Sequence, residues 1–437
     1  MVSNHLTIYQ MALRTFTPSG TLTAATDLLP HVSSLGADIV YLCPVFKAES
    51  DPDLTTWSER QIASGTNNPK NPYKMYDYFH VDEEYGTDGD LKEFVNEAHR
   101  LGLKVLFDLV YLHCGKGAVF VKDHPDFIIR NEDSSPLVGE QWPFARLNYQ
   151  SAGLREYLFS NIEYFIRDFW VDGFRCDVGD KVPLDFWEDS FARARIIKPD
   201  LITLNEGKNP EYLSSGAFNW CYSSAWRKKI QGLFRGNIGV EDFRAYCLTE
   251  RNIYGDNVKR CTRCIDNHDT ASDVGLDRNE KIMTSRGVDA ALAVIYTYDG
   301  IPFLWNGVEF CDDSENSMFS NRFYGKRSAM DWSRAFTEKG EKRLDLIRRL
   351  HDLHHGSPSI TKGYAEWLEN SCPDDVISYR KRFGEETLTV IVNAKNKPLS
   401  VSVNAEIDSK YVCLGSGGLI GNGKIDFEPY GYLITKK

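Results

Sequence analysis

Along most of the chain, apolar runs of strand length alternate with segments of helical periodicity. Thr7-Ile8-Tyr9-Gln10-Met11 predicts a short strand, and residues 22–35 predict a helix closed by Gly36. Ala37-Asp38-Ile39-Val40-Tyr41-Leu42 predicts a second strand, stopped by Pro44. Leu91, Phe94, Val95 and Ala98 share one face of a helix over 88–101 with Gly102 as its stop, and Lys104-Val105-Leu106-Phe107 then forms a strand ending in Asp108. The rhythm continues with a helix over 153–170, a strand over 171–178, a helix over 184–197 and a strand over 201–205. Two later strands, Arg263-Cys264-Ile265-Asp266-Asn267 and Pro302-Phe303-Leu304-Trp305, complete the pattern. Alternation sustained over this length predicts a parallel sheet, and 437 residues fit closure into a (β/α)8 TIM barrel better than an open sheet.

Three stretches depart from it. Residues 48–72 form a Ser-, Thr-, Asn- and Pro-rich loop, long enough to predict a functional role, and lead into Tyr73, Tyr76, Tyr78 and Phe79. Residues 113–150 are irregular and predict a short inserted B domain after the third strand. From 356 to 437 the pattern changes to short alternating runs such as Val376-Ile377-Ser378-Tyr379 and Leu388-Thr389-Val390-Ile391-Val392, predicting a C-terminal antiparallel β-sandwich domain of about 80 residues. The expected organisation is barrel 1–112, insert 113–150, barrel 151–355 and β domain 356–437.

Composition narrows the class. Hydrophobic residues make up 42% and charged residues 26%, ordinary for a globular protein. A net charge of −11 disfavours nucleic acid and anionic lipid as partners and suits a small neutral substrate. Ten scattered cysteines predict buried thiols in a reducing compartment. With no basic leader, no apolar h-region and no apolar run long enough to span a membrane, the expectation is a cytoplasmic protein with no membrane partner. Oligomeric state is not legible. Cys261 and Cys264 would face opposite sides of a strand, which makes a structural role the better reading than metal binding.

The chemistry concentrates at strand ends. In Val171-Asp172-Gly173-Phe174-Arg175-Cys176-Asp177, period two sends Arg175 and Asp177 to one face and Phe174 and Cys176 to the other. Roughly 30 residues later, one βα unit on, the next strand ends in Glu206. Asp108, Asp177, Glu206 and Asp269 therefore gather at one mouth of the barrel, where parallel barrels carry their active sites. Clustered carboxyls raise one another's pKa. One can stay protonated as an acid while an arginine-paired neighbour stays ionised, the division that glycosidic cleavage with retention requires.

At this point the chain resembles the α-amylase family of glycoside hydrolases (family 13). Asp108-Leu109-Val110-Tyr111-Leu112-His113, Gly173-Phe174-Arg175-Cys176-Asp177, Asn205-Glu206 and Asp266-Asn267-His268-Asp269 look like its four signatures, in order and on strands three, four, five and seven. Arg146-Leu147-Asn148 and Pro72-Tyr73-Lys74-Met75-Tyr76-Asp77-Tyr78 resemble two further family segments. The resemblance implies Asp177 as nucleophile, Glu206 as general acid/base and Asp269 as stabiliser of the transition state. It implies sugar contacts from His113 and His268, a tyrosine platform at Tyr73, and Arg175 holding Asp177 with Asp108 bracing that arginine.

The chain also departs from the family. Leu112 stands where calcium-binding members have Asn, so no metal and no other cofactor is expected. Asp180, Lys181, Lys208 and Ser272 replace usual residues, which predicts acceptor subsites unlike those of a starch amylase. The expected activity is retaining hydrolysis of α-glucosidic bonds in short α-glucans or oligosaccharides. The alternatives are a transglycosylase or sugar isomerase on the same site, or a catalytically silent carbohydrate-binding barrel.

Overall fold

The computed structural model describes residues 5–273, 278–325 and 329–437. Eight parallel strands form its centre: β1 (Ile8–Met11), β2 (Ile39–Leu42), β3 (Lys104–Leu109), β4 (Gly173–Cys176), β5 (Ile202–Asn205), β6 (Trp220–Cys221), β7 (Thr262–Arg263) and β8 (Ile301–Trp305). They pair in chain order from β1 to β6, β8 pairs with both β1 and β7, and a single parallel bridge, Cys221 to Cys261, closes the ring between β6 and β7. The strands are almost wholly buried, as expected when helices cover a barrel from outside and its own side chains fill it. At the start of β4, Gly173 is fixed by packing, since a Cβ there would lie 1.9 Å from the Ile202 carbonyl oxygen of β5.

Local chemistry sets the element ends. The helix Asp88–Arg100 opens with a reciprocal Thr87–Asp90 capping box, buries Leu91, Phe94, Val95 and Ala98, and is followed by Gly102 at φ +79°. The single helix expected over 22–35 is two, Leu22–Thr26 and Leu29–Ser34, because Pro30 has no N–H to give and restricts the residue before it. β6 went unpredicted because a two-residue strand carries no periodic signal. β7 is shorter than predicted, so Asn267 instead caps the short helix His268–Ser272 through a capping box with Thr270.

The 48–72 segment is built on an antiparallel pair, Ala48–Ser50 with Lys70–Met75, and holds the helix Glu59–Ala63 between them. The excursion after β3 is pinned by a minimal hairpin of His113–Cys114 and Ala145–Arg146, with bridges from Ile128 to Leu147 and from Val138 to Ala145.

The C-terminal strands are β9 (Glu366–Trp367), β10 (Val376–Phe383), β11 (Glu386–Asn393), β12 (Leu399–Val401), β13 (Val412–Gly421) and β14 (Lys424–Lys436), all antiparallel. The early part of β14 pairs with β12 and its late part with β11, so the two layers of the expected sandwich are arms of one continuous sheet. Alternation assigns the faces: Ile377, Tyr379, Val390 and Val392 join the barrel core, while Val376 and Ile391 join Val401, Ile425 and Phe427 in a second core. The junction with the barrel also holds a buried ion pair, Lys381 Nζ to Asp299 at 2.9 Å, with Lys381 also donating to the Ile360 carbonyl at 2.6 Å.

Removing one partner of that pair leaves an uncompensated buried charge. Lys381→Met is expected to cost about 3 kcal/mol or more and lower Tm, while Lys381→Met with Asp299→Asn recovers part of the loss. Thermal unfolding of the two variants checks this.

Candidate active site

β4 ends in the residues that matter most. Phe174 and Cys176 pack into the surrounding core, while Arg175, fully buried, faces the C-terminal mouth. Its Nη1 donates to Asp108 Oδ1 and Oδ2 at 2.7 and 2.9 Å and to Asp177 Oδ1 at 2.8 Å. Nη2 lies 2.6 Å from Glu206 Oε2, an ion pair without hydrogen-bond alignment. The rings of Tyr41, Tyr73 and Tyr222 stand around the guanidinium, their centroids 5.7, 5.9 and 5.4 Å from its carbon. Asp108, at the end of β3, also accepts from Tyr41 at 2.5 Å and Tyr73 at 3.2 Å.

After Asp177 the chain turns sharply. Val178 sits at φ +44°, an uncommon left-handed state for a β-branched residue, and its N–H donates to Glu206 Oε2 at 2.9 Å. Glu206 follows β5, in a loop shaped by Asp180, which accepts from the Asn205 side chain and from the N–H groups of Lys208 and Asn209. A Cβ at Gly207 would come within 1.9 Å of the Asp180 carboxylate and displace it. Asp180, one of the departures from the family pattern, thus organises the loop that presents Glu206. Lys181 projects its ammonium over Trp142, 5.3 Å from the ring centroid.

Asp269 and His268 come from the short helix after β7. One ligand atom each from Glu206, His268 and Asp269 lie within 4.8 Å of one another, so the third acid lies beside Glu206. His268 is fixed from β1: Gln10 Oε1 accepts its backbone N–H at 3.1 Å, and Gln10 Nε2 donates to its Nδ1 at 2.6 Å. The neutral ring therefore carries its proton on Nε2. Tyr73 stacks on that ring at 5.6 Å, and His113 lies edge-on to Phe144. All eight residues expected from the sequence surround one cavity or the guanidinium at its base. The cavity holds about 690 Å³ and is also walled by Trp142 and Phe144 from the 113–150 excursion.

Burial dominates the electrostatics. It raises Asp177 well above the ordinary carboxyl range and also raises Glu206, with Arg175 opposing and neighbouring carboxylates reinforcing the shift. One guanidinium cannot neutralise Asp108, Asp177 and Glu206 together, so the cluster retains a proton. Asp269 is also desolvated, but His268, Arg60, Arg227 and Arg175 outweigh that and hold it at about 2. His113 and His268 are each lowered by burial to about 3.

Three contributors lay outside the sequence reading. Arg60, from the helix in the 48–72 loop, donates to Asp269 at 2.6 Å and to Asp273 at 2.7 Å; the loop's length was the signal, but no pattern pointed to the residue. Ser272, where a family arginine was expected, is buried and accepts the Met318 N–H, so the cation beside Asp269 comes from another segment. Gln10 was hidden inside a strand, and Arg227 follows the unpredicted β6.

At the position that the resemblance gives to a calcium ligand, Leu112 is buried and has no side-chain oxygen. The nearby Asn148 amide bonds the Asp126 carbonyl instead. Leu112 therefore supplies no oxygen ligand at that position.

A family model described as "Alpha amylase, catalytic domain" matches residues 5–135. The chain is 24% identical to Alpha-amylase 2 of Dictyoglomus thermophilum over 424 residues, covering 92% of this chain and 68% of that protein. The chain is thus similar to α-amylases, with the family-model likeness confined to residues 5–135. It is 23% identical to the Intracellular maltogenic amylase of Bacillus subtilis, covering 88% of this chain but 63% of the relative, and so spans about two thirds of such relatives' length. The crystal structure of a noncanonic maltogenic α-amylase, AmyB, from Thermotoga neapolitana shares the fold of this chain with a TM-score of 0.80 at 23% identity, covering 100% of this chain and 99% of that one.

Both site histidines are expected to remain neutral throughout pH 5–8. Nitrogen-15 NMR of the imidazoles checks this, and a midpoint near the ordinary histidine value for either would contradict the burial seen here.

Proposed function

We propose that the protein is a retaining glycosidase that cleaves α-glucosidic bonds in short oligosaccharides. The observation that carries the reading is the sharing of one buried guanidinium by Asp177 and Glu206. It supports the short carboxyl separation, about 5 Å, that double displacement uses, because the wider gap of inverting enzymes must also admit a water. Asp177 receives the aligned Arg175 hydrogen bond, which favours its ionised form against the burial that raises it, and so suits the nucleophile. Glu206, more open to the cavity, suits the proton carrier.

In this scheme Asp177 attacks the anomeric carbon while Glu206 protonates the departing oxygen. Glu206 then removes a proton from water, which opens the glycosyl ester. Asp269, held ionised, stabilises the positive charge that develops at the anomeric centre, and His268 offers its Nε2 proton to a sugar hydroxyl. Tyr73, Trp142 and Phe144 offer ring faces to apolar sugar surfaces, and the cavity has room for a short oligosaccharide. A cytoplasmic location is part of the proposal. All ten cysteines are free thiols, no helix among the described residues is long and apolar enough to cross a membrane, and one relative is named intracellular.

Proton NMR at early times with maltotriose and other α-linked sugars should show α-anomeric products, and Asp177→Asn should lower kcat by about a thousand-fold or more without loss of fold; β-anomeric products or near-normal activity in that variant would overturn the scheme. Activity should fall as rising pH removes the proton shared by Asp177 and Glu206, with the midpoint above the ordinary glutamate range of about 4.3. Glu206→Gln should abolish this alkaline limb.

A further inference from the structure

One wall of the cavity is a face of the helix Ser224–Phe234 and its C-terminal neighbour Arg235. Ser224, Arg227, Lys228, Gln231 and Arg235 follow the three- and four-residue spacing of a single helical face, and all line the cavity. Arg227 is 7% exposed, and its Nη1 is sealed from solvent without a hydrogen-bond partner. Among the described residues no carboxylate reaches ion-pair contact with Arg227, Lys228 or Arg235, although Asp269 and Asp266 lie near enough to act by charge on Arg227 and Arg235. Arg235 donates only to the neutral amide of Asn279, at 3.1 and 2.6 Å.

Most acids across the cavity are already engaged, Asp177 and Glu206 by Arg175, Asp269 and Asp273 by Arg60, and Asp266 by Arg278 at 3.8 Å, while Glu59 is exposed at the rim. The helix adds to the imbalance. It begins without a side-chain cap or any acidic residue in its first turn, so the positive end of its dipole lies beside Arg227 and Lys228. A buried guanidinium with no anion in contact is costly, and sugar hydroxyls carry no charge to offset that of Arg227, with the exposed Lys228 and half-buried Arg235 adding to it. A tetrahedral oxyanion carries both the charge and several acceptor oxygens, and guanidinium groups bind it in two-point fashion.

We propose that this wall binds a phosphate-type oxyanion presented with the sugar, so that the substrate class is a phosphorylated α-glucoside. The inference rests on reading the cavity as a glycosidase active site. Free inorganic phosphate shares the chemistry as a second source. In that case a phosphate oxygen bonds to the anomeric carbon as the Asp177 ester bond breaks, Glu206 takes the phosphate proton, and the product is α-glucose 1-phosphate.

The test uses the full chain at fixed ionic strength and compares glucose, glucose 6-phosphate and inorganic phosphate as inhibitors of neutral α-glucoside hydrolysis. Glucose 6-phosphate should inhibit at least ten-fold more strongly than glucose. That ratio should fall towards one in Arg227→Gln and largely persist in Arg227→Lys. Lys228→Ala and Arg235→Gln together should also reduce it, and they carry the test if Arg227→Gln does not fold. Inorganic phosphate inhibiting as strongly as glucose 6-phosphate, with α-glucose 1-phosphate formed, would support the oxyanion wall with free phosphate as its source. Equal inhibition by glucose and glucose 6-phosphate, in enzyme that turns over the neutral glucoside, would overturn the inference and leave the glycosidase reading intact. If no glucoside is turned over, calorimetry decides separately: at least ten-fold tighter binding of glucose 6-phosphate than of glucose keeps the oxyanion wall while the glycosidase reading fails, and equal binding removes both.

Discussion

A single buried guanidinium, that of Arg175, sets the terms for the rest of the site. It holds Asp108 and Asp177 by hydrogen bonds and Glu206 by charge, in a setting where an unpaired ion would cost several kcal/mol. Three carboxyls against one cation leave a surplus, and a retained proton resolves it. The barrel supplies what this arrangement needs: three adjacent strand ends, β3, β4 and β5, aim the three acids at one point. The faces of Tyr41, Tyr73 and Tyr222 surround the cation and keep water from screening it.

A second pair of interactions completes the site from outside that core. Gln10 of β1 fixes the His268 ring and tautomer, and Arg60 holds the neighbouring Asp269 ionised from a loop some two hundred positions away in the chain. Asp269 is thus kept as a permanent anion, while Glu206 is raised towards the protonated state by the same enclosed setting. The contrast comes from partners rather than from burial, since all three acids are desolvated. Further out, the excursion after β3 contributes the aromatic rings, and the helix after β6 contributes a face of cations.

Much of this was legible from residues alone, for identifiable reasons. Arg175 and Asp177 could be placed because period two is strict in a strand, and the barrel could be inferred because alternation between periods persists over most of the chain. Asp269 was assigned to the right mouth although β7 ends at Arg263 rather than at Asn267 as its pattern implied, because the capping box at Asn267 continues the chain in the same direction. What stayed hidden has no local signature. β6 is only two residues long, and Arg60 acts through a contact of high sequence separation. Arg227 becomes meaningful only once its burial and lack of a partner are known. The division at Pro30 was readable in principle, since proline punctuates a helix whatever its surroundings.

The central claim is that Asp177 forms the covalent link to the sugar. The most direct test is to incubate the enzyme with a 5-fluoro-α-glucosyl fluoride, which accumulates the glycosyl-enzyme of retaining α-glucosidases, and to map the adduct by mass spectrometry of intact protein and peptides. The account predicts one fluoroglucosyl group per chain, esterified to Asp177 and absent from Asp177→Asn. An adduct on a different residue, or steady hydrolysis of the fluoride to a β-anomeric product with no adduct at any time, would contradict it.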